Sequence, residues 1–499
     1  MNSASYDAVI IGSGFGGALA AYALTQAGQR VLMLERGRWP HRDADDWNQR
    51  QILIEQRYRG PVSVDVKQYG ARRFSQIYPN ETVGGKSVFY GGASLRLRAT
   101  DFARWPFSYA DLAPYYEQAE SLLGVHGTVG SDPCEPPGLQ SYPFPAVELS
   151  APARRLQQAS DQLGYRPFPI PLAINFSDAQ RTRCVLCNTC DGFPCRIEAK
   201  NDLAATVLRH AQQRGLHIAS GAIARRLQIE SGQVRGVEYL DASINQSQVA
   251  EGRIVVVAAG AIQSPALLMR SGLDHPLMGR NLMRHCNAVC SYVFPFRTNP
   301  EQVFHKQLCF GDFYEDLRAE LGTAVGVIQD IYTPAPEVIQ HHAPPGGRWL
   351  AGLFAPFMQN LLCIAEDEPQ LQNRVRLNEH LDARGMQGIA IEHNYSRDDR
   401  RRRDYLLRRA RRVLRKAGGL ASYTYPIDSF SHAVGTLRSA STPEEGVLDS
   451  HCRVWGVDNL FVTDGSFMPT SGGVNPSLTI AANALRVAAK ISGANGPLA

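Results

Sequence analysis

An imidazole takes a proton well near neutral pH, and a carboxamide donates a hydrogen bond without titrating. The C-terminal part of the chain offers both. His432 lies in the run Ser431-His-Ala-Val-Gly435-Thr436, and Asn475 follows 43 residues later in Gly472-Gly-Val-Asn475-Pro476. With thirteen histidines in the chain, one histidine alone carries little weight. His432 stands out because it precedes a glycine turn and shares its segment with a strand–loop–helix unit. In that unit Leu460 to Val462 reads as a short buried strand, ended by the turn pair Asp464-Gly465. Asn475-Pro476 then reads as a helix start, with Asn as cap and Pro in the first position. Leu478, Ile480, Ala481, Leu485, Ala488 and Ala489 recur at helical spacing as far as Lys490. A helix that begins beside a glycine loop presents unpaired N–H groups and a partial positive charge, which suits an anionic group of a cofactor.

The amino-terminal end narrows the choice of cofactor. Tyr6 to Ile11 is a buried-strand run, and Gly12-Ser-Gly14-Phe15-Gly-Gly17 follows at once. Ala18 to Ala27 is an alanine-rich helix stopped by Gly28, and a second strand from Arg30 to Leu34 ends at Glu35. Strand, glycine turn, helix, strand and terminal acid together form the dinucleotide-binding fingerprint. Gly12 permits the turn, Gly14 lets backbone approach a pyrophosphate, and Gly17 lets helix and strand pack closely. Glu35 is placed for a ribose hydroxyl and disfavours a 2′-phosphate, so FAD or NAD is expected rather than NADP.

Between these ends, Val83 to Ser94 is a second glycine-rich loop, suited to backbone lying against a flat ring. Ser108-Tyr-Ala-Asp111 resembles a capping box ahead of an apolar helical face from Leu112 to Leu123. Residues 126–150 are rich in Pro and Gly and read as loop; residues 40–75 give no clear element. Asn201 to Arg214 reads as a helix, followed by strands near 217–220, 222–230, 234–239 and 253–257. Val257 to Pro265 repeats the strand–turn–helix pattern, with Ser264 as expected cap and Pro265 in the first position. Three such returns imply one sheet assembled from distant segments. Asn373 to Leu377 and Gly388 to Glu392 alternate like strands of a second, more antiparallel sheet. The expected fold is therefore α/β, a doubly wound, Rossmann-like domain plus a substrate domain on a mostly antiparallel sheet with helices. Residues 1–105, 195–290 and 425–499 are expected in the first, and 106–194 and 291–424 in the second.

Cys184, Cys187, Cys190 and Cys195 place four of ten cysteines within twelve residues. That spacing could hold an iron–sulfur cluster or a zinc ion, but a compact thiol-lined loop without metal is the expectation. Ten cysteines in 499 residues do not resemble a disulfide scaffold, so a reducing cytoplasm is expected. Met1 to Asp7 is polar and leads straight into a strand, which argues against a secretory signal, and no apolar run is long enough to span a membrane. The net charge is +5, yet residues 397–416 hold eleven Arg/Lys against three Asp, a local +8 that leaves the remainder near −3. Leu406, Leu407, Ala410, Val413 and Leu414 mark one stripe of that stretch. An amphipathic helix with a solvated basic face is favoured there over nucleic-acid or membrane binding.

At this point the chain resembles the glucose–methanol–choline (GMC) oxidoreductase family of flavoproteins. The resemblance rests on Gly12 to Gly17 with Glu35-Arg36-Gly37, on Val83 to Gly92, on Ala258 to Pro265, and on His432 to Ile480, in the family's order. The C-terminal run is similar to cholesterol-oxidase and pyranose-oxidase members. The resemblance implies FAD held by Gly12, Gly14, Phe15, Gly17, Glu35, Arg36, Gly84, Gly85, Ser87, Tyr90, Gly91, Gly92, Ala259, Gly260, Asp464, Gly465, Asn475 and Pro476. It also implies His432 as the catalytic histidine and Asn475 as its partner. Some members attach FAD through a histidine in the loop matching Val83 to Gly92; Phe89-Tyr90 stand here with no histidine, so a non-covalent flavin is expected. The expected reaction is oxidation of a secondary hydroxyl of a sugar, glycoside or cyclic alcohol. His432 takes the hydroxyl proton, Asn475 donates to the same oxygen, and the flavin takes the hydride. The acceptor is open between O2 and an electron-transfer partner. A dehydrogenase passing electrons through an iron–sulfur cluster, a lyase on the same scaffold, and a binder acting through Arg397 to Lys416 are the rival readings.

Overall fold

The computed structural model describes residues 6–68, 75–343, 345–494 and 496–497, so residues 1–5, on which the expectation about a leader rests, lie outside it. Val, Ile and Leu dominate Tyr6–Ile11, Val31–Glu35 and Gly252–Val257, the pattern of strands covered on both faces. They form one parallel sheet in the order Leu460–Val462, Gly252–Val257, Tyr6–Ile11, Val31–Glu35, Leu216–Ser220. The expected sheet built from distant segments is thus present, with the C-terminal strand at one edge. The helix Phe15–Gln26, buried along most of its length, packs against the C-terminal helix Ser477–Ile491.

The second sheet has six strands, ordered Ala421–Pro426, Ala288–Val293, Met358–Ala365, Gly326–Ile331, Leu308–Phe310, Phe168–Pro169, and every recorded pairing is antiparallel. The basic helix Arg397–Lys416 lies on it, opened by a capping box between Ser396 and Asp399. Its stripe Leu406, Leu407, Ala410, Val413 and Leu414 is buried, joining Leu361 and Cys363 in one core. The charge run is therefore the outer side of a core helix, although Arg402 is itself buried against Glu368 and Asp399. Among the described residues no helix is long and apolar enough to cross a membrane.

A four-stranded sheet pairs Arg374–Leu381 with Gln387–His393, antiparallel as expected. Val64–Gln68, parallel to Gln387–His393, and Ser75–Ile77 complete it.

Three local expectations are corrected. The helix at 201–214 is confined to Val207–Gln212. Ahead of it Arg42 grips Asp202 at 2.8 Å and Ser87 accepts from the Leu203 N–H, so long-range bonds override helix propensity. Ser264 is not the cap residue: the helix already starts at Gly260, Pro265 lies inside it, and the Ser264 hydroxyl accepts from the Ala259 N–H at 3.1 Å and donates to Asp464. Pro476, not Asn475, occupies the cap position of the last helix, with no side-chain capping bond.

The amino- and carboxyl-terminal parts meet at Gly16. A Cβ there would lie 2.4 Å from the Thr463 carbonyl oxygen, whereas a Cβ on Gly14 would meet nothing within 4 Å. In cofactor-free protein, Gly16→Ala is expected to lower the unfolding free energy in urea by about 1–3 kcal/mol, the usual cost of overpacking. Gly14→Ala should stay close to wild type; equal losses in both variants would contradict this contact.

Candidate active site

Two segments far apart in sequence are joined by a short antiparallel exchange. Met283 N–H donates to Val434 O at 3.0 Å, and Val434 N–H donates to Met283 O at 2.9 Å. Gly435 makes room for it, since a Cβ there would lie 2.6 Å from Asn281 O, and its φ of +92° is one that glycine adopts freely. The exchange brings His285 beside His432, with the two Nδ1 atoms 2.9 Å apart. His285 Nε2 lies 2.9 Å from Gly472 O and 3.3 Å from Ser471 O.

This geometry fixes the protons. A carbonyl only accepts, so His285 carries its proton on Nε2, and in the neutral ring its Nδ1 accepts. The Nδ1 of His432 must then be the donor, which leaves His432 Nε2 as a bare lone pair. Charge agrees with the tautomers. Burial holds His432 well below the ordinary histidine pKa, and His285, Lys306 and Lys86 add to the effect. Burial also lowers His285, against the opposing pull of Asp367 and the two carbonyls.

His285 is placed by its backbone. It has a φ of +60°, a left-handed conformation rare for non-glycine residues, and is held there from both sides. The Arg284 and His285 N–H groups donate to the two oxygens of Asp367 at 2.8 and 3.0 Å. Tyr395 donates to His285 O at 2.8 Å, and the Arg284 guanidinium lies over the Phe430 ring at 4.3 Å while pairing with Asp428 at 2.6 Å.

The loop Ser471–Asn475 is the second half of the site. Ser471 exchanges hydrogen bonds with the backbone of Asp367, and Gly473 N–H donates to the Tyr314 hydroxyl at 3.0 Å. Asn475 Oδ1 accepts from Gln329 Nε2 at 2.8 Å. Gln329 comes from the six-stranded sheet, so the second sheet orients the amide through its oxygen. Direct bonding between His432 and Asn475 is not among the hydrogen bonds of the described residues; the Gly472 carbonyl ties their two segments together. His285 and Gln329 were both missed by the sequence reading: neither lies at a diagnostic spacing, and only the folded chain brings them to His432 and Asn475.

The glycine segments lie close to one another. Gly12 packs on Ala258 and Ala259, Gly17 on Gly12, and a Cβ on Gly85 would lie 3.1 Å from Gly14 Cα. The Phe15 ring meets Tyr90 edge-on at 5.3 Å. Gly91 lies against Lys306 and Asp191, Gly92 against Ile174, and Gly465 against Ile480 and Val434. Gly84, with φ of +92°, donates its N–H to Ser13. Glu35 accepts from the Ser13 N–H and hydroxyl and from the Gly37 N–H, at 3.0, 2.6 and 2.7 Å. Several polar side chains are already spent within the protein. Arg36 pairs with Glu81 at 3.4 Å, and Ser87 donates to Gly84 O while accepting from Leu203. Tyr90 donates to Asn201 O, and Asp464 accepts from Gly260, Ser264 and Ser466.

A dinucleotide fits this cradle. Gly14 heads the helix Phe15–Gln26 with no side-chain cap, and a Cβ on Gly14 or Gly260 would enter open space. Three of about four acceptor positions of Glu35 are filled, which leaves one for a hydroxyl.

The four clustered cysteines line one small cavity of ≈ 10 Å³, room for one water, with Trp47, Ile174 and Phe304. All four are free thiols, and burial pushes Cys184 up to about 12 and Cys190 upward as well. Among the described residues no three His, Cys, Asp or Glu side chains come together as metal ligands.

Two family profiles, both described as GMC oxidoreductase, match residues 6–287 and 369–484. The chain is 34% identical to 6'''-hydroxyparomomycin C oxidase of Streptomyces lividus and 32% identical to paromamine 6'-oxidase of Streptomyces fradiae, each alignment covering 98% of this chain and 91% of the relative. A 2-methyl-1,2-propanediol dehydrogenase of Mycolicibacterium austroafricanum is 28% identical over 97% of this chain and 95% of its own length. Pyridoxine 4-oxidase from Mesorbium loti shares the fold with a TM-score of 0.70 at 22% identity, covering 97% of this chain and 98% of that one. Formate oxidase from Aspergillus oryzae does so with 0.73 at 15%, covering 99% of each.

Because the folded rings titrate below about 6.5 while unfolded histidine titrates there, the unfolded chain binds more protons in that window. This part of the stability is present at neutral pH and is lost as pH falls through the lowered folded values. His285→Phe should make the fall in unfolding free energy between pH 7 and 5 shallower, by up to about 1.4 kcal/mol per pH unit. An unchanged slope would contradict a neutral, buried His285.

Proposed function

The chain belongs to the GMC oxidoreductase family, its cofactor is FAD, and on that premise we propose that it oxidises a CH–OH group of a sugar or glycoside. His432 is the base and Asn475 the hydrogen-bond donor to the reacting oxygen. The observation that carries this reading is the bare Nε2 of His432, left free by the bond from its Nδ1–H to His285. Nε2 takes the hydroxyl proton, and the resulting imidazolium keeps its Nδ1–H bond to His285. Asn475, held through its Oδ1 by Gln329, steadies the oxygen as it loses that proton. Bound FAD supplies the two-electron acceptor that no side chain provides.

In this reading Gly12, Gly14, Phe15 and Gly17 hold the pyrophosphate at a helix start, and Glu35 takes a ribose hydroxyl. Gly84, Gly85, Tyr90, Gly91 and Gly92 lie along the ring system with Ala259, Gly260, Asp464 and Gly465, and Asn475-Pro476 open the last helix beside it. Arg36 and Ser87 act indirectly, by fixing the loops through Glu81 and Leu203. Residues 1–105, 195–290 and 425–499 are proposed as the cofactor part and 106–194 and 291–424 as the substrate part, although Val64–Gln68 shares a sheet with Gln387–His393 and the strands Ala288–Val293 and Ala421–Pro426 cross these bounds.

The substrate class is supported by the polarity around the base. Lys306, paired with Asp191, is near enough to act on His432 by its charge. Such a wall suits a hydroxyl-rich molecule better than a sterol. Relatives named for paromamine and for a paromomycin derivative point the same way, and their description as oxidases supports O2 as acceptor.

The test is anaerobic bleaching of the bound flavin by paromamine, simple sugars and a sterol. Paromamine or a sugar should bleach it, and His432→Ala should slow that reduction by at least ~10²-fold. The acid limb of kcat/KM should lie below about pH 6.5, the ordinary histidine value. Absence of bleaching by any CH–OH compound, or an undiminished rate in His432→Ala, would overturn the reading.

A further inference from the structure

The loop Val83–Gly92 carries one cation, Lys86, which the roles above leave unused. It stands on the tight turn Gly85–Val88, directly after the glycine that approaches Gly14. Its Nζ donates to Phe430 O at 2.6 Å and to Ser431 O at 3.2 Å, the two carbonyls just ahead of His432. By exposed area the side chain is accessible to solvent, although protein surrounds it closely enough to desolvate the ammonium. His432, partly accessible, shows the same combination.

The charge on Lys86 is not neutralised locally. Among the described residues it makes no ion pair. Asp464 is the acid that acts on it, but that carboxylate is occupied by Gly260, Ser264 and Ser466. Of the three N–H donors of an ammonium, two are used by the carbonyls and one remains.

We propose that Lys86 is a positioning and charge-setting residue: it ties the backbone ahead of His432 to the cofactor loop, and it presents an unpaired ammonium to the bound flavin. A cation there favours the electron-rich form of the bound cofactor and opposes protonation of His432. The other titratable groups acting on His432 are His285, neutral here, and Lys306, already paired with Asp191. Burial brings the Lys86 ammonium down to about 8, with Asp464 opposing. The cation is therefore present at neutral pH and fades in mild alkali.

The experiment compares the flavin reduction potential of wild type, Lys86→Met and Lys86→Arg at pH 6.5 and 9.5, by equilibration with a redox dye. This arm does not depend on His432 being the base or on the substrate, so it can fail separately from the proposed function. At pH 6.5 Lys86→Met should be about tenfold harder to reduce, about 30 mV for a two-electron couple, and at pH 9.5 it should converge with wild type. Lys86→Arg stays charged at both values, so at pH 9.5 its potential should lie above that of wild type. In kcat/KM, Lys86→Met should move the acid limb upward by about 0.5 pH unit as His432 becomes easier to protonate. An unchanged potential in Lys86→Met at pH 6.5, or a difference that persists undiminished at pH 9.5, would overturn the proposal. If Lys86→Met does not fold, Lys86→Arg and wild type having equal potentials at pH 9.5 would overturn it alone.

Discussion

Two imidazole nitrogens of the same kind, 2.9 Å apart, can bond only if one carries a proton and the other does not. That constraint between His285 and His432 organises the site. The Gly472 carbonyl settles which ring is which, because it forces the proton of His285 onto Nε2. From there the chain of donors runs one way and ends in a lone pair. Burial of both rings in their neutral form keeps that lone pair available at physiological pH.

The rest of the fold can be understood as what holds those three groups in line. His285 depends on Asp367, which takes its N–H and that of its neighbour, and Asp367 in turn exchanges hydrogen bonds with Ser471. His432 depends on the exchange between Met283 and Val434 and on the two carbonyls gripped by Lys86. Asn475 depends on Gln329 in the antiparallel sheet. Each catalytic candidate is thus fixed by a different part of the chain, and the parallel sheet brings those parts together by pairing Leu460–Val462 with Gly252–Val257. Several supporting bonds are to backbone, so they constrain position more than residue type.

What could be read in the sequence was what local rules encode. Gly12 and Gly17 each face backbone at a distance that excludes a Cβ, which is what a tight turn and close helix–strand packing require. The capping box at Ser108 forms because both partners lie within one turn. The stripe of Arg397–Lys416 is buried because its period matches the helix. What could not be read was set by long-range bonds. Ser264 and Asn475 look like caps, yet their side chains serve Asp464 and Gln329 across the fold. Asn201 to Thr206 have helical composition but are held in turns by Arg42 and Ser87. His285 has no local mark at all, because its importance is a property of the ring it touches.

Ring nitrogen shifts in a long-range proton–nitrogen spectrum of histidine-labelled protein at pH 7.5 test this account most directly. The account predicts His285 protonated on Nε2 and His432 on Nδ1, with the Nε2 of His432 bare. A His432 ring that carries its proton on Nε2, or on both nitrogens, would contradict it.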